Sequence, residues 1–273
     1  MDANGLAVVT GASRGIGRAV ALELARRGFD TVATMRNPAD GASMAEDVGD
    51  APGSLRVVAL DVTQPETIEL PDGLRVLVNN AGVERPHLPF EETPLELWRE
   101  MFETNVFGLI EVTRRAIPRL RETGGGVLCN ITSSSMFAPV PFYAAYRASK
   151  AAVSAMGESL RTELAPFGIR VLEIVPGPID TDMLQGSAEP PAALRFEAYR
   201  PMAERAHQGR LNVGGMITST ADAAGAIVDA ILDDDAPLRH GCDPLGSGLL
   251  DAWRTQSDEA LMRSMLGTWV EPT

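Results

Sequence analysis

Leu6-Ala7-Val8-Val9-Thr10-Gly11-Ala12-Ser13-Arg14-Gly15-Ile16-Gly17 is a short apolar run that breaks into a glycine-bearing turn and then into a helical pattern. Leu6 to Val9 has the length and composition of a buried strand. Ile16, Val20 and Leu24 then recur at helical spacing, with Ala19 on the same face and Gly28 where a C-cap belongs. A strand that turns into a helix brings the unpaired amides of the helix N-terminus to the strand's end. Gly11, Gly15 and Gly17 permit the tight turn and let the backbone approach a pyrophosphate there.

Outward from this unit the same alternation continues. Further strand candidates are Thr31–Thr34, Leu55–Leu60, Arg75–Val78, Val127–Ile131 and Arg170–Val175, with long helical patterns from Leu95 to Arg121 and from Ala144 to Ala165. Runs that are apolar on both faces and separated by helices predict an α/β fold. It is a doubly wound, Rossmann-type parallel sheet of about seven strands with helices on both faces. No linker divides residues 1–273, which read as one domain. Three stretches break the rhythm: Ala39 to Ser54, read as a helix with a Pro-Gly turn; 183–216, with Pro190, Pro191, Phe196 and Tyr199, read as a substrate lid; and 251–273, read as a helical tail. Gly124-Gly125-Gly126 reads as a flexible lead into a strand.

Composition narrows the partners. The chain carries 24 Lys and Arg against 37 Asp and Glu, a formal net charge of -13, which repels nucleic-acid phosphates and anionic membrane surfaces. No apolar run approaches the roughly 18 residues of a spanning helix, and Met1 to Gly5 is not a basic leader. Cys129 and Cys242 have neither metal-ligand spacing nor a disulfide framework, which points to a reducing, cytoplasmic setting. His87, His207 and His240 are scattered, so no metal site is expected, and they read as structural or solvent-facing. Cys129 reads as core, and Asp233-Asp234-Asp235 as a solvated helix end.

Two further motifs bear on chemistry. Asn79-Asn80-Ala81-Gly82 ends a strand, and Tyr146-Arg147-Ala148-Ser149-Lys150 opens a helix. Residues four apart on a helix share a face, so Lys150 can lie near the phenol of Tyr146. A free phenol has a pKa of about 10, and a neighbouring ammonium favours the phenolate and lowers it. That is the direction a proton-exchanging group needs at neutral pH.

With the glycine-rich turn before them, these motifs resemble the short-chain dehydrogenase/reductase family. The resemblance runs from about Gly5 to Thr181, more weakly to about Gly246, and is nearest the hydroxysteroid and retinol dehydrogenase branch. It implies that Tyr146 is the acid/base, that Lys150 also binds the nicotinamide ribose, and that Ser133 hydrogen-bonds the substrate oxygen. It also implies that Asn105 keeps Lys150 and a water relay in place. Ser134 and Ser135 read as turn formers, and Tyr143, followed four residues later by Arg147, as pocket wall.

The resemblance further implies cofactor contacts at Gly11, Ser13, Arg14, Gly15, Ile16 and Gly17, at Asp61 and Val62 by the adenine, and at Asn80, Ala81 and Gly82. On the nicotinamide side it implies Pro176, Gly177, Ile179 and Thr181. Cofactor choice turns on the end of the second strand. An acidic residue there would bind the ribose hydroxyls of NAD. The chain has Arg36 and Asn37 instead, with no carboxylate until Asp40, and a guanidinium suits a 2′-phosphate. Arg14 resembles the second basic residue of NADP-preferring members, so NADP(H) is expected.

The reading is an NADP(H)-dependent oxidoreductase interconverting a ketone and a secondary alcohol. A mostly apolar pocket of Met136, Phe137, Val140, Phe142, Tyr143, Met183 and Leu184 suits a lipophilic or cyclic substrate. An NAD-linked dehydrogenase, an epimerase and a non-catalytic dinucleotide sensor remain as alternatives. The resemblance also implies a homodimer or homotetramer built on the two long helices. Between Asp61 and Asn79 the chain is shorter than usual for the family, so the helix there is expected to be truncated.

Overall fold

In the computed structural model, which describes residues 1–84 and 86–270, seven strands form one parallel sheet. They are β1 (Leu6–Val9), β2 (Asp30–Met35), β3 (Ser54–Ala59), β4 (Leu74–Asn79), β5 (Gly126–Ile131), β6 (Ile169–Val175) and β7 (Arg239–Gly241), in the order β3-β2-β1-β4-β5-β6-β7. The chain winds one way from β1 to β3 and the other way from β4 to β7. β1 thus has β2 on one side, Val8 beside Val32, and β4 on the other, Val8 beside Leu77. That reversal opens a crevice at the carboxyl ends of β1 and β4, the place where such sheets bind ligands.

The helices are α1 (Gly15–Arg27), α2 (Met44–Val48), α3 (Leu95–Phe102), α4 (Leu109–Glu122), α5 (Ala144–Leu164), α6 (Asp182–Ala188), α7 (Arg200–Asn212), α8 (Thr220–Leu232), α9 (Pro244–Thr255) and α10 (Asp258–Trp269). Side chains of successive strand residues leave opposite faces of a sheet, and both faces here are buried. Ala7 and Val9 pack with Val20 and Leu24 of α1 and Ile227 and Ile231 of α8. Val8 and Leu77 pack with Val112, Ala116 and Leu120 of α4 and Leu164 of α5. This explains why the strands read as continuous apolar runs.

Three elements differ from the sequence reading. The pattern from Leu95 to Arg121 divides into α3 and α4 around a π-turn, Glu103–Gly108. The stretch from Ala39 to Ser54 holds only the short α2 after a 3-10 turn at Pro38–Gly41. β7, which no apolar run in the sequence marks, is held instead by Arg239. Its Nε donates to Glu173 Oε2 of β6 at 3.0 Å, and its Nη2 reaches Ser154 and Glu158 of α5. Between β3 and β4 only a 3-10 turn, Pro65–Thr67, remains, and Arg115 Nη1 of α4 donates to Ile68 O across it at 2.6 Å. Residues 271–273 of the expected tail lie outside the described residues, among which no helix is long and apolar enough to cross a membrane.

Candidate active site

The glycine turn is built around one side chain. Asn80 Nδ2, just past β4, donates to Thr10 O at 3.0 Å and Gly11 O at 2.9 Å, while Thr10 Oγ1 accepts from the amides of Asn80 and Ala81 at 3.0 and 3.1 Å. Gly11 has φ +64° and a Cβ there would lie 2.7 Å from Ala81 Cα, so only glycine fits. Gly15, at φ +56°, starts α1 opposite Thr181. Gly17 does not line the cleft: a Cβ there would land on Asn80 Nδ2 and Gly11 O, so it makes room for Asn80 instead of touching a ligand.

The N-terminus of α1 has no capping side chain and no acidic residue in its first turn, whereas Ser219 and Asp243 cap α8 and α9. An uncapped helix N-terminus held by glycines is a cradle for phosphate oxygens, so these residues fit a dinucleotide. The cleft, about 690 Å³, runs from there along Ser13, Arg14, Ile16, Arg36, Asn37, Asp61 and Val62 to Ala81, Gly82, Pro176, Gly177, Ile179 and Thr181. Arg14 is 74% exposed and 3.6 Å from Asp182, and Arg36 is exposed at the end of β2. Asp40, folded back by the 3-10 turn and bonded to Asn37 Nδ2 at 3.0 Å, also faces the cleft. Asp61 Oδ1 is used by Thr63, accepting from its amide at 2.9 Å and its hydroxyl at 2.8 Å.

The motif residues on α5 meet the end of β5. The Tyr146 phenol and Ser133 both face the cavity there, Ser133 favouring the phenolate, and the Ser133 hydroxyl is 2.9 Å from Ser135 Oγ. Ser135 therefore partners Ser133 as well as shaping the turn. Arg147 fixes that loop by donating to Ser135 O at 2.7 Å and Met136 O at 3.1 Å. Lys150, only 6% exposed, donates from Nζ to Ile131 O at 3.0 Å and stands 5.8 Å from the Tyr146 ring centroid. Burial pulls its pKa down to about 8.

Two expectations need correction here. Tyr146 is pushed up from the usual phenol value, first by burial and then by the Glu84 carboxylate, opposite to the direction expected from Lys150. Asn105, in the π-turn, lies behind the cleft wall. Its Nδ2 donates to Val83 O and Ser149 Oγ, both at 3.0 Å, and its Oδ1 accepts from Val83 N at 2.8 Å. Its hydrogen bonds go to Val83 and Ser149 and not to Lys150, and the two side chains flank Gly82, where a Cβ would lie 3.4 Å from each.

The expected pocket residues divide. Val140, Phe142, Tyr143, Met183 and Leu184 line the cavity. Phe137 does not: it packs with Val175 and Leu250, 4.9 Å from the Trp253 ring, and Met136 packs against the same cluster. Their places are taken by polar groups that no sequence pattern marks. His87 Nε2 lies 2.6 Å from Glu84 Oε1 and its ring stacks on Tyr143 at 3.9 Å. Arg210 of α7 covers the same Tyr143 ring at 4.8 Å, and His207 and Trp269 close the outer side. The wall is thus far more polar than the sequence suggests. Among the described residues no group of His, Cys, Asp and Glu could hold a metal ion.

The fold and this cleft are those of a Rossmann-type dinucleotide-binding protein, and comparison with known proteins gives the family. The family profile described as short chain dehydrogenase matches residues 5–192. The chain belongs to that family. An uncharacterised oxidoreductase, YusZ, of Bacillus subtilis is 38% identical over 190 residues, which is 65% of this chain and, at 66%, just under two thirds of that protein. The 3beta-hydroxysteroid dehydrogenase 1 of Eggerthella lenta is 34% identical over 206 residues, 71% of this chain and 78% of its own. The solved structure of a short chain dehydrogenase from Burkholderia cenocepacia in complex with NADP superposes with a TM-score of 0.74 at 27% identity, covering 97% of this chain and 99% of that one.

Proposed function

We propose that the protein is an NADP(H)-dependent reductase that interconverts a ketone and a secondary alcohol. The observation that carries this reading is the convergence of the Tyr146 phenol, the Ser133 hydroxyl and the buried Lys150 ammonium at the end of the dinucleotide cleft. When bound, the reduced nicotinamide supplies the hydride. The α1 amides, Ser13 and Gly15 would hold its phosphates, Arg14 and Arg36 a 2′-phosphate, Asp61 and Val62 the adenine side, and Ile179 and Thr181 the carboxamide side.

The chain's own work is on the oxygen. Ser133 and Tyr146 donate to it as negative charge develops, where preorganised donors help most. Tyr146 then gives up its proton. A phenol raised by burial and by Glu84 is fully protonated at neutral pH, the state a proton donor needs for reduction. Lys150 fixes the end of β5 through Ile131 O, and Asn105 fixes Ser149 on the same helix. Similarity to a 3beta-hydroxysteroid dehydrogenase supports a lipophilic, cyclic substrate. A homo-oligomer built on the long helices belongs to the same reading.

Fluorescence titration with NADPH and with NADH tests the cofactor. NADPH should bind at least about tenfold tighter, the worth of a charge-assisted hydrogen-bond pair. Tyr146→Phe should then lower ketone turnover by about 100-fold or more while NADPH binding persists. Normal turnover in that variant would falsify the assignment. One observation favours a second reading: Asp40 faces the cleft. Equal or tighter NADH binding would mean that this carboxylate takes the ribose hydroxyls and that the protein is an NAD-linked dehydrogenase.

A further inference from the structure

Three buried polar atoms on the wall beyond Tyr146 have no hydrogen-bond partner: Tyr143 Oη, His207 Nδ1 and Trp269 Nε1. All three residues line the cavity, and Tyr143 is only 7% exposed. Buried polar groups are rarely left unsatisfied, because each loses its hydration without return. Two such orphans occur elsewhere in the described residues, at Asn79 and His240, away from this wall. Three of the five therefore belong to residues that line this one cavity.

They are also connected to the reacting end. The Tyr143 ring meets the Tyr146 ring edge-on at 6.3 Å, and Arg210 covers Tyr143. His207 sits three residues before Arg210, on the same face of α7. Trp269 of α10 packs on Gly209, where a Cβ would lie 3.0 Å from its ring, so the indole is seated by a residue with no side chain. An indole N–H can only donate and a phenol can do either, so the missing partner is an acceptor oxygen. Its charge is limited by Glu84, paired with His87 on the same wall, whose field is felt by Tyr146, Lys150 and Arg210. The Arg210 guanidinium over Tyr143 is already set against the Glu84 carboxylate, so a carboxylate brought there would still face that like charge, whereas an uncharged oxygen would not.

We propose that Tyr143, His207 and Trp269 form a recognition subsite for a second, uncharged oxygen, a hydroxyl or carbonyl, on a lipophilic ketone substrate. The proposal rests on the reductase reading and deepens it. A substrate lacking that oxygen would leave the three buried groups unsatisfied. A site built to hydrogen-bond a hydroxyl discriminates strongly against the analogue without one.

The test compares trans-β-decalone with a set of its ring-hydroxylated derivatives and with a carboxylate-bearing decalone. Each is assayed for reduction with NADPH and for equilibrium binding by calorimetry with the wild type, Trp269→Phe and Tyr143→Phe. The best hydroxylated ketone should exceed the parent by at least about tenfold in kcat/KM and in affinity, with the carboxylate below both. That preference should shrink towards one in both variants; Trp269 lies on the outer helix, so its variant is the safer fold. Equal affinity for parent and every derivative, preference for the carboxylate, or a preference untouched by both variants would overturn the subsite. The two readings separate cleanly. Selective binding with no reduction of any ketone sinks the reductase, while reduction of all without selectivity sinks the subsite.

Discussion

Glu84 acts on three ionisable groups at once. Its carboxylate raises the Tyr146 phenol, supports the charge on Lys150 and supports the charge on Arg210. The sign follows directly: a negative charge nearby disfavours a phenolate and favours an ammonium. In Glu84→Gln both Tyr146 and Lys150 should give up protons more readily. The alkaline fall in reduction rate should therefore begin at lower pH, by about 0.5–1 unit. A pH–rate profile of kcat with a saturating ketone checks this, and an unmoved or raised limb would remove Glu84 from the proton's surroundings. At this scale the sequence is informative where chemistry has a spacing. Tyr146 and Lys150 stand one helical turn apart, and Ser133 precedes them just past the end of β5. Glu84, His87, His207 and Trp269 belong to no pattern, because a loop, α7 and α10 bring them to one cavity only after folding.

The elements are set by a few close approaches. Gly17 yields its side-chain space to Asn80, which ties the glycine turn to β4. Gly17→Ala should lose about 1–3 kcal/mol of stability through overpacking, seen as a lower Tm, together with weaker NADPH binding. A Cβ at Gly225, inside α8, would meet nothing within 4 Å, so Gly225→Ala is the control and should gain about 0.5–1 kcal/mol. A lower Tm in both, or in neither, would mean that the contact with Asn80 does not decide. Six of the seven strands are apolar runs that periodicity finds. β7 escapes because an ion pair between Arg239 and Glu173 stands in for apolar burial. The π-turn at Glu103–Gly108 escapes for a different reason: the backbone stays helical from α3 through the turn into α4, so the two read as one helix. Phe137 reads as pocket wall but is not, because a 3-10 turn, Ser134–Met136, rotates it from the cavity towards Trp253.

Across the whole molecule, the two ends of the cavity depend on different parts of the chain. The cofactor end rests on β1, β4, β5 and β6, whose central strands are fully buried. The substrate end is finished by α7, which packs on α6, α10 and the short turns around it, and by α10, which packs on α7 and α9. A chain ending at residue 256 should keep its far-ultraviolet dichroism and its NADPH affinity while KM for the best ketone rises at least about tenfold, since it loses the Met265 and Trp269 part of the wall. Loss of NADPH binding in that truncation would show that the tail supports the sheet. The fold class is legible because alternation persists along the whole chain, but the tail reads only as a tail, since a helix says nothing of what its inner face covers.

The family profile stops at residue 192, before α7 and α10. The profile thus takes in the glycine turn, Ser133, Tyr146 and Lys150 and leaves out the outer helices that line the other end of the cavity. Descent can then conserve one while revising the other. Duplicated copies of such a chain can drift towards new substrates through their outer helices with their reaction machinery intact, and kinship by name is a weaker guide to the compound than to the chemistry.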